Sequence, residues 1–416
     1  MYLLFSILMG FQIFLYSFEN FNLIMKLDTQ APAPTPAPTP LAVEVNGPSA
    51  IAVFGNFAYI TNLASPSISR VNTTTDLLDQ TFSHPSLIAP YNIVLSADGK
   101  YAYIANYGAP MTILDTTTGT FYPTKIYGNS LAIDHAINQL FIASTRSVAQ
   151  YQYSSRLGFF SSKNKLSSSS SSSYQTLDLF IFDVSLDHCT NPNLINTVNF
   201  KYKDVAEVSS LTFDLNYIYI QNQINTELFV SRVHRETLEI DQLFLPSGKR
   251  PGNNGLVVIG NNVYSSNSYV CNFVTETVDY FANIENNSNA IIYDGSNYLY
   301  VVGTQLAVRD IPDSGCPSGQ ATIITPTGKG GFAGTVVYKL AIASTYPYVV
   351  VEEYAGFNCP QALSLLPNGS LYVLDGSGSG TVCSSVGTSG QLKKIRPTQI
   401  NPSKIKKSLN YIKKQI

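Results

Sequence analysis

Short apolar runs separated by turn residues occupy most of this chain, and one aromatic-led tetrapeptide recurs among them. Each copy follows a turn rich in Gly, Asn or Asp, residue types that accept the positive φ needed to close a β-hairpin. A second short apolar run precedes that turn. The pattern therefore predicts repeated β-hairpins rather than helices. The seven copies, called frames below, are residues 59–62, 103–106, 141–144, 219–222, 264–267, 300–303 and 372–375.

The spacing of the frames predicts the fold. Successive frames start 44, 38, 78, 45, 36 and 72 residues apart, and four of these gaps match the period of about 40 residues of a four-stranded propeller blade. The two long gaps require insertions. One runs over 151–175 and contains a serine tract, 167–173, which we expect to be disordered because it buries no apolar area. The other lies between Asp310 and Gln361. We predict an all-β, seven-bladed β-propeller of four-stranded blades.

The ring also needs to close, because an open sheet edge invites aggregation. Residues 41–45, LAVEV, precede the first complete blade and have the pattern of a single strand. We predict that this N-terminal strand is the outer strand of the last blade. The propeller domain then extends over 41–398.

The segments that flank the domain have a different composition. Residues 2–18 carry no charge, and this length approaches the ~20 residues that cross a bilayer, so 1–24 is predicted to be a signal peptide or a membrane anchor. The Pro-rich linker 25–40 is predicted to be an extended spacer. Both interpretations of 1–24 predict a secreted or cell-surface protein, with the anchor adding a membrane tether.

The C-terminal segment 399–416 returns to a helical period. Ile405, Leu409, Ile412 and Ile416 fall on one face of a short amphipathic helix, and lysines occupy the other. Such a helix lies on an anionic membrane or an acidic partner, or the segment is a frayed, solvated tail whose four apolar residues dock on the propeller or nowhere.

Charge and cysteine content exclude some functions. Residues 393–416 hold eight Lys or Arg and no acid, which leaves 17 basic against 27 acidic residues in the remainder. Nucleic-acid binding is not expected, because it requires a basic face. The five cysteines show no zinc-type spacing. One disulfide among Cys316, Cys359 and Cys383 is expected if the chain is exported.

Two frames resemble a known repeat. Residues 99–106, GKYAYIAN, followed by 112–119, TILDTTTG, resemble the repeat of YVTN-type β-propeller proteins, and 58–62 with 71–75 is the second good match. The last blade, 360–394, is similar to an NHL-type blade. The resemblance implies a seven-bladed propeller of an exported or surface protein. Related propellers include sugar-lactone hydrolases and lyases, so the fold itself leaves an enzyme open.

Candidate chemistry is sparse. The frame aromatics, one per blade at the same strand position, are predicted to pack between blades. The polar residues that end the frames, and Asp115, Asp183 and Asp310 at the predicted ends of third strands, are predicted to bond to local turns. His135 and Asp134 are the candidates for the central channel. No catalytic, cofactor-binding or metal-binding residue is assigned.

Two functions remain open from the sequence. In the first, the propeller is an exported or surface-associated scaffold that binds a protein or glycan ligand at one face, without a cofactor. In the second, a hydrolase or lyase acts on a lactone or glycan in the central channel, with a divalent cation as a possible cofactor. The second requires at least three carboxylate, amide or imidazole groups to converge at the channel mouth.

Overall fold

The computed structural model describes the second of two units into which the chain divides, Met1–Pro36 and Ala37–Ile416. The described residues are 38–147, 175–185, 189–200, 205–224, 227–244, 255–266, 269–281, 290–304, 335–342, 349–376 and 390–396. Several predicted features lie outside them: the segment 1–24, nearly all of the linker 25–40, the serine-rich insertion 151–175 except Gln175, the tail 399–416, and Asp310, Cys316 and Cys383.

The described chain forms seven antiparallel sheets of four strands each. A single strand, β1 (Thr39–Val45), precedes the first complete sheet. Blades 1 to 3 are β2 (Pro48–Phe54), β3 (Phe57–Asn62), β4 (Ser67–Asn72) and β5 (Leu77–Ser83); β6 (Pro90–Leu95), β7 (Tyr101–Asn106), β8 (Ala109–Asp115) and β9 (Phe121–Tyr127); and β10 (Ser130–Asp134), β11 (Gln139–Ser147), β12 (Gln175–Asp183) and β13 (Asn193–Phe200).

The remaining blades follow the same order. Blades 4 and 5 are β14 (Val205–Phe213), β15 (Tyr217–Ile224), β16 (Glu227–His234) and β17 (Ile240–Phe244); and β18 (Leu256–Ile259), β19 (Asn262–Ser265), β20 (Tyr269–Asn272) and β21 (Thr277–Tyr280). Blade 6 is β22 (Ile291–Tyr293), β23 (Tyr298–Thr304), β24 (Thr335–Ala341) and β25 (Val349–Phe357), and blade 7 begins with β26 (Pro360–Leu365), β27 (Leu371–Gly376) and β28 (Gly390–Ile395).

The first strands of successive blades contact one another around a ring, and β2 of blade 1 contacts β26 of blade 7. Strand β1 pairs with β28 and completes blade 7, with Thr39 opposite Lys394 and Val45 opposite Gly390. The seven-bladed propeller and its closure by an N-terminal outer strand are therefore confirmed. The closing strand begins at Thr39 rather than at residue 41, and so includes the last two residues of the predicted linker.

The core consists of seven apolar clusters in the described residues, one between each pair of neighbouring blades. Every frame aromatic belongs to the cluster between its own blade and the next. Tyr103 packs with Leu131 and Leu140 of blade 3, and Tyr372 packs with Ile60 and Val71 of blade 1. Burial of such a side chain stabilises the fold by roughly 2–3 kcal/mol, so the predicted packing role of the frame aromatics is confirmed.

The described residues contain strands and turns and no helix. Accordingly, no helix in that part of the chain has the length and apolar character to cross a membrane.

Candidate functional site

Antiparallel order within the blades gives the propeller two different faces. Second strands end and third strands begin at one face, which we call the insertion face; Asn62 and Asn106 lie there. First strands end and second strands begin at the other, the turn face, which includes Phe54 and Leu95. The connections 148–174, 305–334 and 377–389 each join a second strand to a third. All three therefore leave from and return to the insertion face.

Polar side chains at the ends of the second strands form a buried layer under the insertion face. The Asn106 amide Nδ2 donates to the carbonyl oxygens of Ser86, at 3.2 Å, and Pro110, at 2.7 Å. The Asn62 amide donates to the hydroxyls of Ser67 and Ser69, both at 3.0 Å. The prediction of local turn bonding is wrong for these asparagines, because their amides bond to the third strand and, for Asn106, to the loop from the preceding blade. The prediction is correct for Asp115 and Asp183, which accept bonds from the turn amides that follow them.

Several atoms of this layer lack a hydrogen-bond partner among the described residues. They are Oδ1 of Asn62 and Asn106, Nε2 of Gln221 and Nδ2 of Asn222, all in side chains no more than 2% exposed. Leaving a buried polar atom unpaired costs about 1–3 kcal/mol.

Blade 7 carries the most strongly held part of the insertion face. The carboxylate of Asp375 pairs with Lys393 Nζ at 2.6 Å and accepts the backbone amides of Asn358 and Cys359 at 2.9 and 2.7 Å. Lys393 also donates to the Gly356 carbonyl oxygen at 2.7 Å. The loop that enters blade 7 is thus fixed by charge-assisted bonds. Cys359 in this loop is disulfide-bonded, and its predicted partners Cys316 and Cys383 lie outside the described residues.

Asp134 and His135 lie on the turn face, where they connect blades. Asp134 Oδ2 accepts from Arg235 Nη2 of blade 4 at 2.7 Å, and its Oδ1 accepts the Ala136 amide at 2.9 Å. His135 Nε2 donates to the Leu95 carbonyl oxygen of blade 2 at 2.9 Å. Both channel candidates are therefore bonded to the protein itself. These contacts give each residue a role in positioning neighbouring blades.

The first strands, which form the inner ring, supply little chemistry. Among their described side chains Asp134 is the only carboxylate, and none is an imidazole. Most of the others are aliphatic, as in Ile51, Val94 and Val257. No group of three His, Cys, Asp or Glu able to hold a metal ion occurs in the part of the chain that the structure describes.

A column of basic residues on third strands has no counterpart in the sequence-based expectations. In four blades the frame tyrosine lies directly opposite a lysine or arginine, and each of these cations forms an ion pair. The pairs are Tyr59 with Arg70, Tyr219 with Arg232, Tyr300 with Lys339 and Tyr372 with Lys394, and the cations pair with Asp79, Asp241, Glu352 and Asp76 in that order.

Aromatic rings cover these cations. The Arg70 guanidinium lies 4.8 Å from the centroid of Phe57, and Lys339 Nζ lies 4.4 Å from that of Tyr298. Burial also raises the pKa of Tyr300 to about 12. We assign this basic column a structural role, because each of its four cations forms both an ion pair and a cation–π contact within the protein. Lys393 and Lys394 lie on β28, within the predicted propeller domain.

Comparisons with known proteins support the fold and leave the family open. No protein-family model and no curated protein matches the chain. Among solved structures, the "Structure of U3-55K" has a TM-score of 0.56 at 9% identity, over 87% of this chain and 99% of that one. A Kuenenia stuttgartiensis hydrazine synthase matches at a TM-score of 0.40 and 14% identity, over 78% and 80%. At 9% identity, the likeness to the first of these structures shows the fold alone.

Proposed function

We propose that this protein is an exported or surface-associated propeller whose insertion face binds a protein partner. One observation carries the proposal: 148–174, 305–334 and 377–389, the connections that depart furthest from the repeat, all leave from that face. Loops placed on a rigid scaffold are where binding residues concentrate. The corresponding connections of blades 1 and 2 are short turns, between Asn62 and Ser67 and between Asn106 and Ala109.

Export rests on two supports. Residues 2–18 have the composition of a signal peptide or anchor, and a disulfide at Cys359 suits an oxidising compartment. The two frames at 58–62 and 99–106 support a YVTN-type repeat, which belongs to the same proposal. If 1–24 is a retained anchor, the Pro-rich linker joins it to the closing strand β1. If 1–24 is a cleaved signal peptide, the linker precedes β1 in the mature chain.

The binding function is favoured over the hydrolase or lyase because of the inner ring. Three convergent carboxylate, amide or imidazole groups are required for the enzyme. The described first-strand side chains offer the carboxylate of Asp134, already paired with Arg235, and the amides of Asn92 and Gln361. Asp134 ends its strand at the turn face, whereas Asn92 and Gln361 lie in the first halves of β6 and β26, so the three groups do not converge at one mouth. Glycan binding at the insertion face remains an outcome that the experiment below separates from protein binding.

Replacement of 148–174 and of 305–334 by Asn-Gly turns tests the proposal. The expected result is a cooperative thermal melt and lost capture of a surface protein from biotinylated cells of the source organism. Leu215→Ser, a change at an 86% exposed position of the turn face, is the matched control and should leave capture unchanged. Capture that survives both replacements, or that a glycosidase abolishes while protease does not, contradicts the proposal.

A further inference from the structure

The turn face exposes most of the large apolar side chains found at the surface of the described residues. Ten such side chains are exposed, and only Ile88 and Tyr107 of these lie at the insertion face. Blade 1 contributes three to the turn face: Phe54, 38% exposed, Leu77, 56%, and Leu78, 45%. Clusters of this kind mark interaction sites when something on the molecule can cover them.

Two of the three side chains, Phe54 and Leu77, lie at the ends of one cross-strand row, and Leu78 follows Leu77 on β5, opposite Val71. Phe54 lies opposite Phe57, Phe57 opposite Asn72, and Asn72 opposite Leu77. Three inter-strand steps of about 4.8 Å separate the ends of this row, so it spans roughly 14 Å. The Phe54 ring closes the row at the inner side by lying against Gly99 of blade 2, where a Cβ would meet ring atoms at 2.0 Å. The row is long enough for two to three turns of an α-helix.

The chain leaves the propeller next to this row. Third strands run from the insertion face to the turn face, so β28 ends at Ile395 on the turn face. Lys394 Nζ lies 2.7 Å from Oδ1 of Asp76, the residue that immediately precedes Leu77. Ile405, the first apolar residue of the helical pattern in 399–416, is nine residues beyond Arg396. Nine residues reach up to about 30 Å, which covers the whole row.

Charge favours the same pairing. The segment 399–416 holds five lysines and no acid. Exposed carboxylates flank the apolar row: Asp79, which also pairs with Arg70, lies on β5 beside Leu78. Asp98, two residues before Lys100, adjoins Gly99, on which Phe54 packs. Glu236, Glu239 and Glu276 continue the acidic character around the turn face. An anionic lipid surface would be repelled by these groups, whereas a basic segment is attracted.

We propose that the C-terminal segment 399–416 binds in cis to the turn face of blade 1, with Ile405, Leu409 and Ile412 on the exposed apolar side chains Phe54, Leu77 and Leu78 and its lysines toward Asp79 and Asp98. The contact buries the apolar row and joins the end of the chain to the seam between blades 7 and 1. It is independent of what the insertion face binds.

Photo-cross-linking of the full chain tests this contact. Benzoylphenylalanine replaces Leu78 in one variant and Leu215, on the turn face of blade 4, in the matched control. Mass spectrometry of a mixture of isotope-labelled and unlabelled chains separates links within one chain from links between chains. The proposal expects intrachain links from position 78 to 403–416 and none from position 215. Links between chains only, links from both positions, or no links to the tail overturn it.

A second measurement does not depend on the cross-linker. Truncation after Thr398 should speed amide hydrogen exchange at Leu77 and Leu78 roughly tenfold and leave exchange in β9 unchanged. Equal exchange in the full and truncated chains overturns the proposal. So does sedimentation of the full chain, but not of the truncated chain, with phosphatidylserine vesicles, since the tail would then prefer lipid to blade 1.

Discussion

Lys394 and Asp76 form an ion pair across the seam where the last blade meets the first. The Lys394 ammonium lies 2.7 Å from one carboxylate oxygen of Asp76 and 3.0 Å from the other. The Tyr372 hydroxyl donates to the same carboxylate at 2.5 Å. Asp76 itself adopts a left-handed conformation with φ of 59°, which Asn accepts as well as Asp.

Asp76→Asn is therefore expected to destabilise the propeller without straining the turn. The change leaves Lys394, with 7% of its side chain exposed, without a carboxylate partner, and loss of one member of a buried pair costs about 2–4 kcal/mol. Asp241→Asn is the matched control, because Asp241 is 57% exposed within its pair with Arg232 and should cost less than about 1 kcal/mol. Urea unfolding measures both. Equal losses in the free energy of unfolding for the two variants would show that the ion pair between blades 7 and 1 stabilises the fold no more than the exposed pair does.

Two frame tyrosines should respond in opposite directions to loss of the hydroxyl. The Tyr103 hydroxyl is buried without a hydrogen-bond partner among the described residues, so Tyr103→Phe should raise the free energy of unfolding by about 1 kcal/mol. Tyr372→Phe removes a donor to Asp76 and should lower it by about 1.5–3 kcal/mol. Both are read from the midpoint of denaturant unfolding. A loss of stability in Tyr103→Phe would mean that the hydroxyl has a partner after all.

Asp375→Asn, which replaces a buried carboxylate by an amide of nearly the same shape, should strongly lower the free energy of unfolding. The Asp375 and Lys393 side chains are 1% and 8% exposed, and the substitution leaves a buried ammonium unpaired, at a cost of about 3–5 kcal/mol. Adding Lys393→Met should recover part of that loss, because the unpaired charge is then removed. Thermal melts of the single and double variants decide the matter. A double variant less stable than Asp375→Asn would contradict this account.

Stability should fall steeply at alkaline pH. Burial raises the pKa of Tyr300 to about 12 and raises the pKa values of Tyr103, Tyr219, Tyr354 and Tyr372 as well, above the value of about 10 in an unfolded chain. The folded state then holds more protons than the unfolded state above pH 10. The contribution of these tyrosines to the free energy of unfolding is complete below pH 10, and that of Tyr300 is lost as the pH rises toward 12. Chemical unfolding from pH 8 to 11.5, with tyrosinate absorbance, measures it; a flat free energy up to pH 11 would contradict it.

The repeat was predictable from sequence because a propeller uses one packing solution in each blade. The frame beginning at Tyr103 lies on a second strand, and so does the aromatic residue that begins each of the six others. The apolar run that became β1 was recognisable because ring closure demands a partner for β28. Each of these features depends on apolar periodicity, which local sequence records directly.

The basic column was not predictable by that route. Arg70 and Lys339 are charged residues, a type that usually faces solvent. Their burial depends on rings and carboxylates from other strands, such as Phe57 and Glu352. Likewise, the bonds of Asn106 to Ser86 and of Asp134 to Arg235 join residues far apart in the chain. One sequence signal would have revealed the column: a frame tyrosine on the second strand, followed on the third strand by a basic residue at the position opposite to it.

The central claim, that the insertion face binds a protein partner, is tested most directly by photo-cross-linking on the surface of cells of the source organism. Benzoylphenylalanine is placed at Tyr107, 69% exposed on the insertion face, or at Leu215, 86% exposed on the turn face. We predict a discrete protein adduct from position 107 and none from position 215. An adduct from position 215 alone, or no adduct from position 107, would contradict the claim.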